Sequence, residues 1–271
     1  MKKKCMSMIG AVILSSATIG QAQEMKDAEK NIPHYELNSL PKVDIQNFKK
    51  NKDGAYVLFD GTSLEGWRGY NKAAVPEKWG IEDGTLKFSA SPEGNTKADG
   101  GDIIFAYDFQ NFELAFEWKI SHAGNSGAFF LAKEVKEQPI YISSPEYQLL
   151  DNEHHPDAKR GVDGNRKSAS LYDMIPAKPQ NSKPAGEWNK AKIVVKNGNV
   201  THYQNGEKVV EYKLWTPEWT ALLQASKFSQ EKWPLAYELL NNIGGETKSG
   251  VIGFQDHGDD VWLKSITVKV L

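Results

Sequence analysis

The chain has 271 residues, 39% of them hydrophobic and 25% charged, with a formal net charge of −2 and a single cysteine. A near-neutral, slightly acidic balance argues against nucleic acid or an anionic membrane as partner. One cysteine excludes an internal disulfide framework.

In chain order, Lys2, Lys3 and Lys4 precede an apolar or small run from Met8 to Ala17. Gly20-Gln21-Ala22 then places small residues where a signal peptidase reads. Residues 1–22 are expected as a cleaved signal peptide, which makes the protein exported, either periplasmic or secreted. The run is too short to cross a bilayer and no later stretch is long enough, so no membrane span is expected. Cys5 lies ahead of the apolar run, the wrong side for a lipid anchor. Cleavage would remove the only cysteine and leave 30 Lys and Arg against 35 Asp and Glu. The remainder must be held by its core, and it is long enough for one large β domain.

Residues 23–52 are polar, mixed in charge and without sustained periodicity, and are expected as an extended lead-in to a single domain over 53–271. The domain opens on Tyr56-Val57-Leu58-Phe59, and turn signals then recur at short spacing. From Phe112 to Ile120 every even position is large and apolar while the odd ones are Glu, Ala, Glu and Lys, the period of a half-buried strand. Ala123-Gly124-Asn125-Ser126-Gly127 reads as a turn. Ala191–Val195, Val200–Gln204 and Lys208–Lys213 follow one another through Asn-Gly turns as a meander. Val261–Leu271 closes the chain as a strand. Antiparallel strands with tight turns and few helices predict an all-β, two-sheet sandwich.

One stretch breaks this pattern. Thr216-Pro217-Glu218 is a helix start, with a capping hydroxyl, Pro at the first helical position and an early acid. One helix is expected over about 216–240, either plugging an end of the sandwich or forming a wall beside a cleft.

Chemistry concentrates in two segments. In Glu146–Asp151 a strand puts Glu146 and Gln148 on one face and Asp151 on the other, and Asp151–His155 leaves it as an acid- and His-rich loop. Imidazole and carboxylate together could ligate a divalent metal, with His154 as a ligand, or exchange protons. In Gly250–Gly258 a strand puts Gln255 and His257 on one face. If the two strands are neighbours, four polar side chains converge on a surface suited to sugar hydroxyls. Tyr172, in Leu171-Tyr172-Asp173, could also reach a ligand. The sequence has no nucleophile elbow, phosphate loop, zinc-protease helix or dinucleotide fingerprint.

Taken in order, Phe59-Asp60-Gly61, Gly66-Trp67, Gly124–Gly127, Glu146–Asp151, Gly186-Glu187-Trp188-Asn189 and Gly253–Gly258 resemble the 3-keto-disaccharide hydrolase domain family over about residues 53–271. The resemblance implies a concanavalin-like jelly-roll sandwich with a short helical insertion, in an exported bacterial protein. It also implies cleavage of small glycosides or oligosaccharides oxidised to a ketone at carbon 3. A base removes the carbon-2 proton, the enolate expels the glycosidic oxygen, and water adds. Glu146, Asp151 and His257 are then the expected catalytic groups, and Gln148, Gln255, Asn125, Tyr172 and Lys264 the expected substrate contacts. Lys264 stands where the family commonly has Arg, which keeps the charge but loses the bidentate fork. A non-catalytic carbohydrate-binding module and an ordinary two-carboxylate glycosidase are the competing readings.

Overall fold

Antiparallel β-structure dominates the computed structural model, which describes residues 33–271 apart from the side chain of Glu93. The expected signal peptide lies outside the described residues. Thirteen strands are described: β1 (Tyr56–Phe59), β2 (Trp67–Gly69), β3 (Trp79–Glu82), β4 (Thr85–Phe88), β5 (Ile103–Phe109), β6 (Phe112–Ile120), β7 (Asn125–Ala132), β8 (Glu146–Leu150), β9 (Asn189–Lys196), β10 (Asn199–Gln204), β11 (Glu207–Lys213), β12 (Gly250–Phe254) and β13 (Val261–Val270). They form an eight-stranded sheet in the order β11-β10-β9-β6-β13-β4-β3, with β1 also on β13, and a five-stranded sheet in the order β2-β5-β12-β7-β8. All pairings between these strands are antiparallel.

The period-two pattern decides which side chains fill the space between the sheets. Along β6 the even residues Phe112 to Ile120 are buried and the odd ones are half-buried on the outer side. Each buried ring or branched chain contributes roughly 1.5–3 kcal/mol. Phe116 of the large sheet meets Phe254 of the small one edge to face at 5.1 Å. Tyr147 lies 6.2 Å from Phe116 in the same layer. The Asn-Gly pairs make the two meander turns, since Asn197 and Gly198, and Asn205 and Gly206, all take positive φ.

The segment ahead of β1 is built into the domain from Tyr35 onward. Leu37 bridges Val135, Ile45 is buried in the core, and Lys50 pairs with Tyr56. The expected helix is two short ones, α1 (Pro217–Ala225) and α2 (Pro234–Asn241). Thr216 caps α1 as expected, accepting from the Trp219 amide. The break follows from Pro234, which lacks an N–H and disfavours a helical Trp233 before it, so it starts a second helix. Trp219 Nε1 donates to Leu240 O at 2.9 Å and locks the helices together.

The outer face of the five-stranded sheet has two halves. Ile104, Phe129, Ala132, Val251 and Ile140 form a second, smaller apolar cluster there. The other half is polar and carries the candidate site.

Candidate active site

Glu146 and Gln148 project from β8, and Asn125 and Gly127 stand beside them on β7 at registers Asn125–Leu150 and Gly127–Gln148. The Gln255 amide donates to Gly127 O at 2.9 Å, which continues the ladder one residue past β12. β8 and β12 are therefore not neighbours, because β7 runs between them. Convergence of their polar side chains depends on Gly127. A Cβ there would stand 2.4 Å from Glu146 Oε1, so the missing side chain is the space the carboxyl occupies. Residues 125–127, expected as a turn, are strand; the turn comes earlier, where the Gly124 amide donates to Ser121 O at 3.0 Å.

Asn125, Glu146, Gln148 and Gln255, with Tyr141, Tyr172, Lys227, Asp256 and His257, line a cavity of about 360 Å³. That is within the range of small-molecule sites, about 300–1,000 Å³. The wall comes from the helical insertion. Lys227 sits between α1 and α2, its amide donates to Asp173 Oδ2 at 2.8 Å, and its ammonium lies 4.4 Å from the Tyr172 ring centre. Trp233 packs edge-on to Tyr141 at 5.9 Å. The insertion therefore serves as a wall of the cleft.

Glu146 is buried, and desolvation pushes its carboxyl up to about 8, against the pull of the Lys227 cation. Burial lowers the Lys227 ammonium in turn, while Glu146 and Asp173 raise it. Both ions are thus driven toward neutrality by the same dry surroundings. Gln148, with its amide nitrogen turned inward, donates to Glu146 Oε1 at 3.0 Å and to Ser126 O at 2.8 Å. Asp102 flanks the site at the start of β5, and burial lifts its carboxyl to about 7. His257 Nε2 lies 3.3 Å from Asn125 Nδ2. Asp256 is committed elsewhere, since it accepts from the amides of Gly101 at 2.7 Å and Gly258 at 3.0 Å. Tyr172 donates to Asp157 Oδ2 at 2.8 Å. Among the described residues, Gln255 Oε1 and Asn125 Oδ1 are buried with no hydrogen-bond partner. Unpaired buried acceptors are costly, and hydroxyls of a bound sugar would satisfy them.

The structure thus brings together Glu146, Gln148, Gln255, His257, Asn125 and Tyr172. It does not bring three others. Asp151 follows β8 and faces away from the cavity, where its buried carboxylate accepts from the Ala123 amide at 2.8 Å, the Glu153 amide at 3.1 Å and His154 Nδ1 at 2.9 Å. Those bonds hold its carboxyl below the usual carboxylate range despite burial, and its place is a loop anchor rather than the cavity wall. Lys264 is on β13 of the other sheet, 3.7 Å from Glu117 and 4.0 Å from the Trp188 ring centre. His154 groups with His122 and Asp151, whereas His155 groups with His257 and Asp259.

Lys227, Asp102 and Tyr141 escaped the sequence reading. Lys227 had a signal of its own, a lysine in the break between two proline-started helices. Asp102 and Tyr141 had none.

Against known proteins, the model of a family described as the 3-keto-alpha-glucoside-1,2-lyase-like domain matches residues 54–269. A curated Bacteroides thetaiotaomicron protein named 3-keto-disaccharide hydrolase is 58% identical over 263 residues, covering 93% of this chain and 91% of that protein. Two solved structures from Parabacteroides distasonis, each provisionally titled a glycosyl hydrolase, share the fold. The first has a TM-score of 0.67 at 29% identity, covering 81% of this chain and 94% of its own. The second has a TM-score of 0.57 at 26% identity, covering 80% and 99%. The chain belongs to the 3-keto-alpha-glucoside-1,2-lyase-like domain family and is an enzyme of that carbohydrate-cleaving group.

Proposed function

We propose that this enzyme cleaves glycosides whose sugar carries a ketone at carbon 3, by removing the proton from carbon 2. The observation that carries the reading is the buried Glu146 carboxyl set in one cavity with the Lys227 ammonium and His257. A ketone acidifies the neighbouring carbon–hydrogen bond, but the proton still needs a base stronger than an ordinary carboxylate. A carboxyl near 8 is such a base once ionised, and its tuning lies close to neutral pH, where proton transfer works best. Glu146 takes the carbon-2 proton. The electron pair forms the enolate, whose oxygen is stabilised by the Lys227 cation. The enolate then expels the glycosidic oxygen from carbon 1, and His257 supplies the proton that this oxygen needs to leave. Water adding across the resulting double bond regenerates the 3-keto sugar. Gln148, Gln255, Asn125 and Tyr172 meet the sugar hydroxyls.

The test is mass spectrometry of a 3-keto-disaccharide deuterated at carbon 2, beside its unoxidised parent. Cleavage of the keto form alone, slowed by the deuterium, is expected. Equal cleavage of the parent disaccharide would overturn the reading. We also propose export, supported by the lysines, apolar run and small residues of positions 2–22. Fractionation of cells making the full chain would show mature protein outside the cytoplasm, beginning near Gln23.

A further inference from the structure

Away from the cavity, the loop between β6 and β7 meets the loop after β8. The His122 and His154 rings lie there with their centres 4.2 Å apart, tilted by 37°. Ligating atoms of His122, Asp151 and His154 come within 4.8 Å of one another. The hydrogen bonds decide what the imidazoles can do. His154 Nδ1 faces Asp151 Oδ2 at 2.9 Å, and a carboxylate with no proton of its own requires the N–H to be on Nδ1. The lone pair is then on Nε2. A carboxylate holding one ring nitrogen while the other is free is the arrangement that orients metal-binding histidines. Among the described residues, His122 makes no hydrogen bond, and its ring contact with His154 leaves its lone pair available. Glu153 Oε1 lies 3.9 Å from His154 Nε2 on an exposed side chain that can swing inward.

The second cluster, His155, His257 and Asp259, has the opposite setting. His155 Nδ1 accepts from the Asp157 amide at 3.1 Å, so in the neutral ring the proton sits on Nε2 and no lone pair faces its neighbours.

We propose that His122 and His154 form a surface site for a late first-row divalent cation, zinc, nickel, copper or cobalt, with Asp151 orienting His154 and Glu153 completing the donors. Two imidazoles and a carboxylate suit these ions and not magnesium or calcium. The ion would clip together the loops that deliver Asn125 and His155 to the cavity side of the sheet. This inference stands apart from the proposed reaction.

The test is titration of tag-free, full-chain protein with zinc or nickel, read by calorimetry, and with cobalt, read by visible absorption. One equivalent is expected to bind, with d–d bands of a nitrogen-ligated cobalt ion. His122→Ala and His154→Ala should each weaken binding at least tenfold and abolish those bands. His155→Ala should change affinity less than twofold. Both histidines are exposed, so the variants are expected to fold, and an unchanged melting temperature without metal checks this. No binding at millimolar cation, or binding that survives both variants, would overturn the proposal. So would binding lost only with His155→Ala.

Discussion

The outer faces of the two sheets carry the same chemical types in different surroundings. Over the five-stranded sheet, Glu146 of β8 shares a cavity with Lys227 of the helical insertion, and desolvation drives the carboxyl up to about 8. On the eight-stranded sheet, Glu117 and Lys264 stand 3.7 Å apart with side chains 27% and 34% exposed. The second pair is formed by directly opposed strand residues. It nonetheless remains in water, where such a pair contributes little and transfers no proton of interest. A strand can place a Glu opposite a Lys anywhere. What turns such a pair into a reactive one is the element that covers it.

The largest effect that would break or sharpen this contrast is loss of the covered carboxyl. Glu146→Gln should lower turnover on a 3-keto-glycoside by roughly a hundredfold or more, the usual cost of a missing general base. Glu117→Gln should stay within twofold in the same steady-state assay. Equal losses in both would end the distinction. Next in size is the cation. Lys227→Met is expected to lower turnover about ten- to a hundredfold through the unstabilised enolate. Lys264→Met, a change at a partly exposed position outside the cavity, should leave turnover within twofold.

A smaller effect tests the cleared space on β7. Gly127→Ala puts a Cβ 2.4 Å from Glu146 Oε1, and the carboxyl must move. Overpacking of this kind costs about 1–3 kcal/mol, and turnover should fall about tenfold, both measurable on the purified variant. An intact rate would mean that Glu146 acts from another rotamer.

The last test leaves turnover aside and reads the pH dependence of stability. Below its ordinary value of 4.5 the Glu146 carboxyl is protonated in folded and unfolded chains alike. Between there and about 8 only the unfolded chain ionises, so the wild type loses stability as pH rises through that window. Glu146→Gln has no such loss. Its unfolding free energy in urea should match the wild type near pH 4.5 and exceed it by roughly 4 kcal/mol at pH 8. A constant difference across the range would show that Glu146 is not desolvated.

Period two is legible without any structure, because alternate side chains of a strand must point to opposite faces. It placed the buried residues of β6, put Glu146 with Gln148, and put Gln255 with His257. Asn-Gly pairs marked the meander for an equally local reason, the positive φ those residues tolerate. Glu146, Gln148, Gln255 and His257 were therefore within reach of the sequence as two half-sites. Their union was not, because it depends on strand order, on β7 passing between β8 and β12, and on Gly127 leaving a gap there. Lys264 shows the limit from the other side. Its charge suited a substrate contact, but β13 pairs with β6 and β4, which puts Lys264 on the far sheet. Asp151 has the right chemistry one residue beyond β8, yet four hydrogen bonds commit it to a loop. Lys227 enters the cavity only through packing of two helices about 80 residues further along the chain. Local pattern fixes the direction of a side chain relative to its own strand. Long-range packing decides what lies in that direction and how much water is left, and for Glu146 that remaining water sets the chemistry.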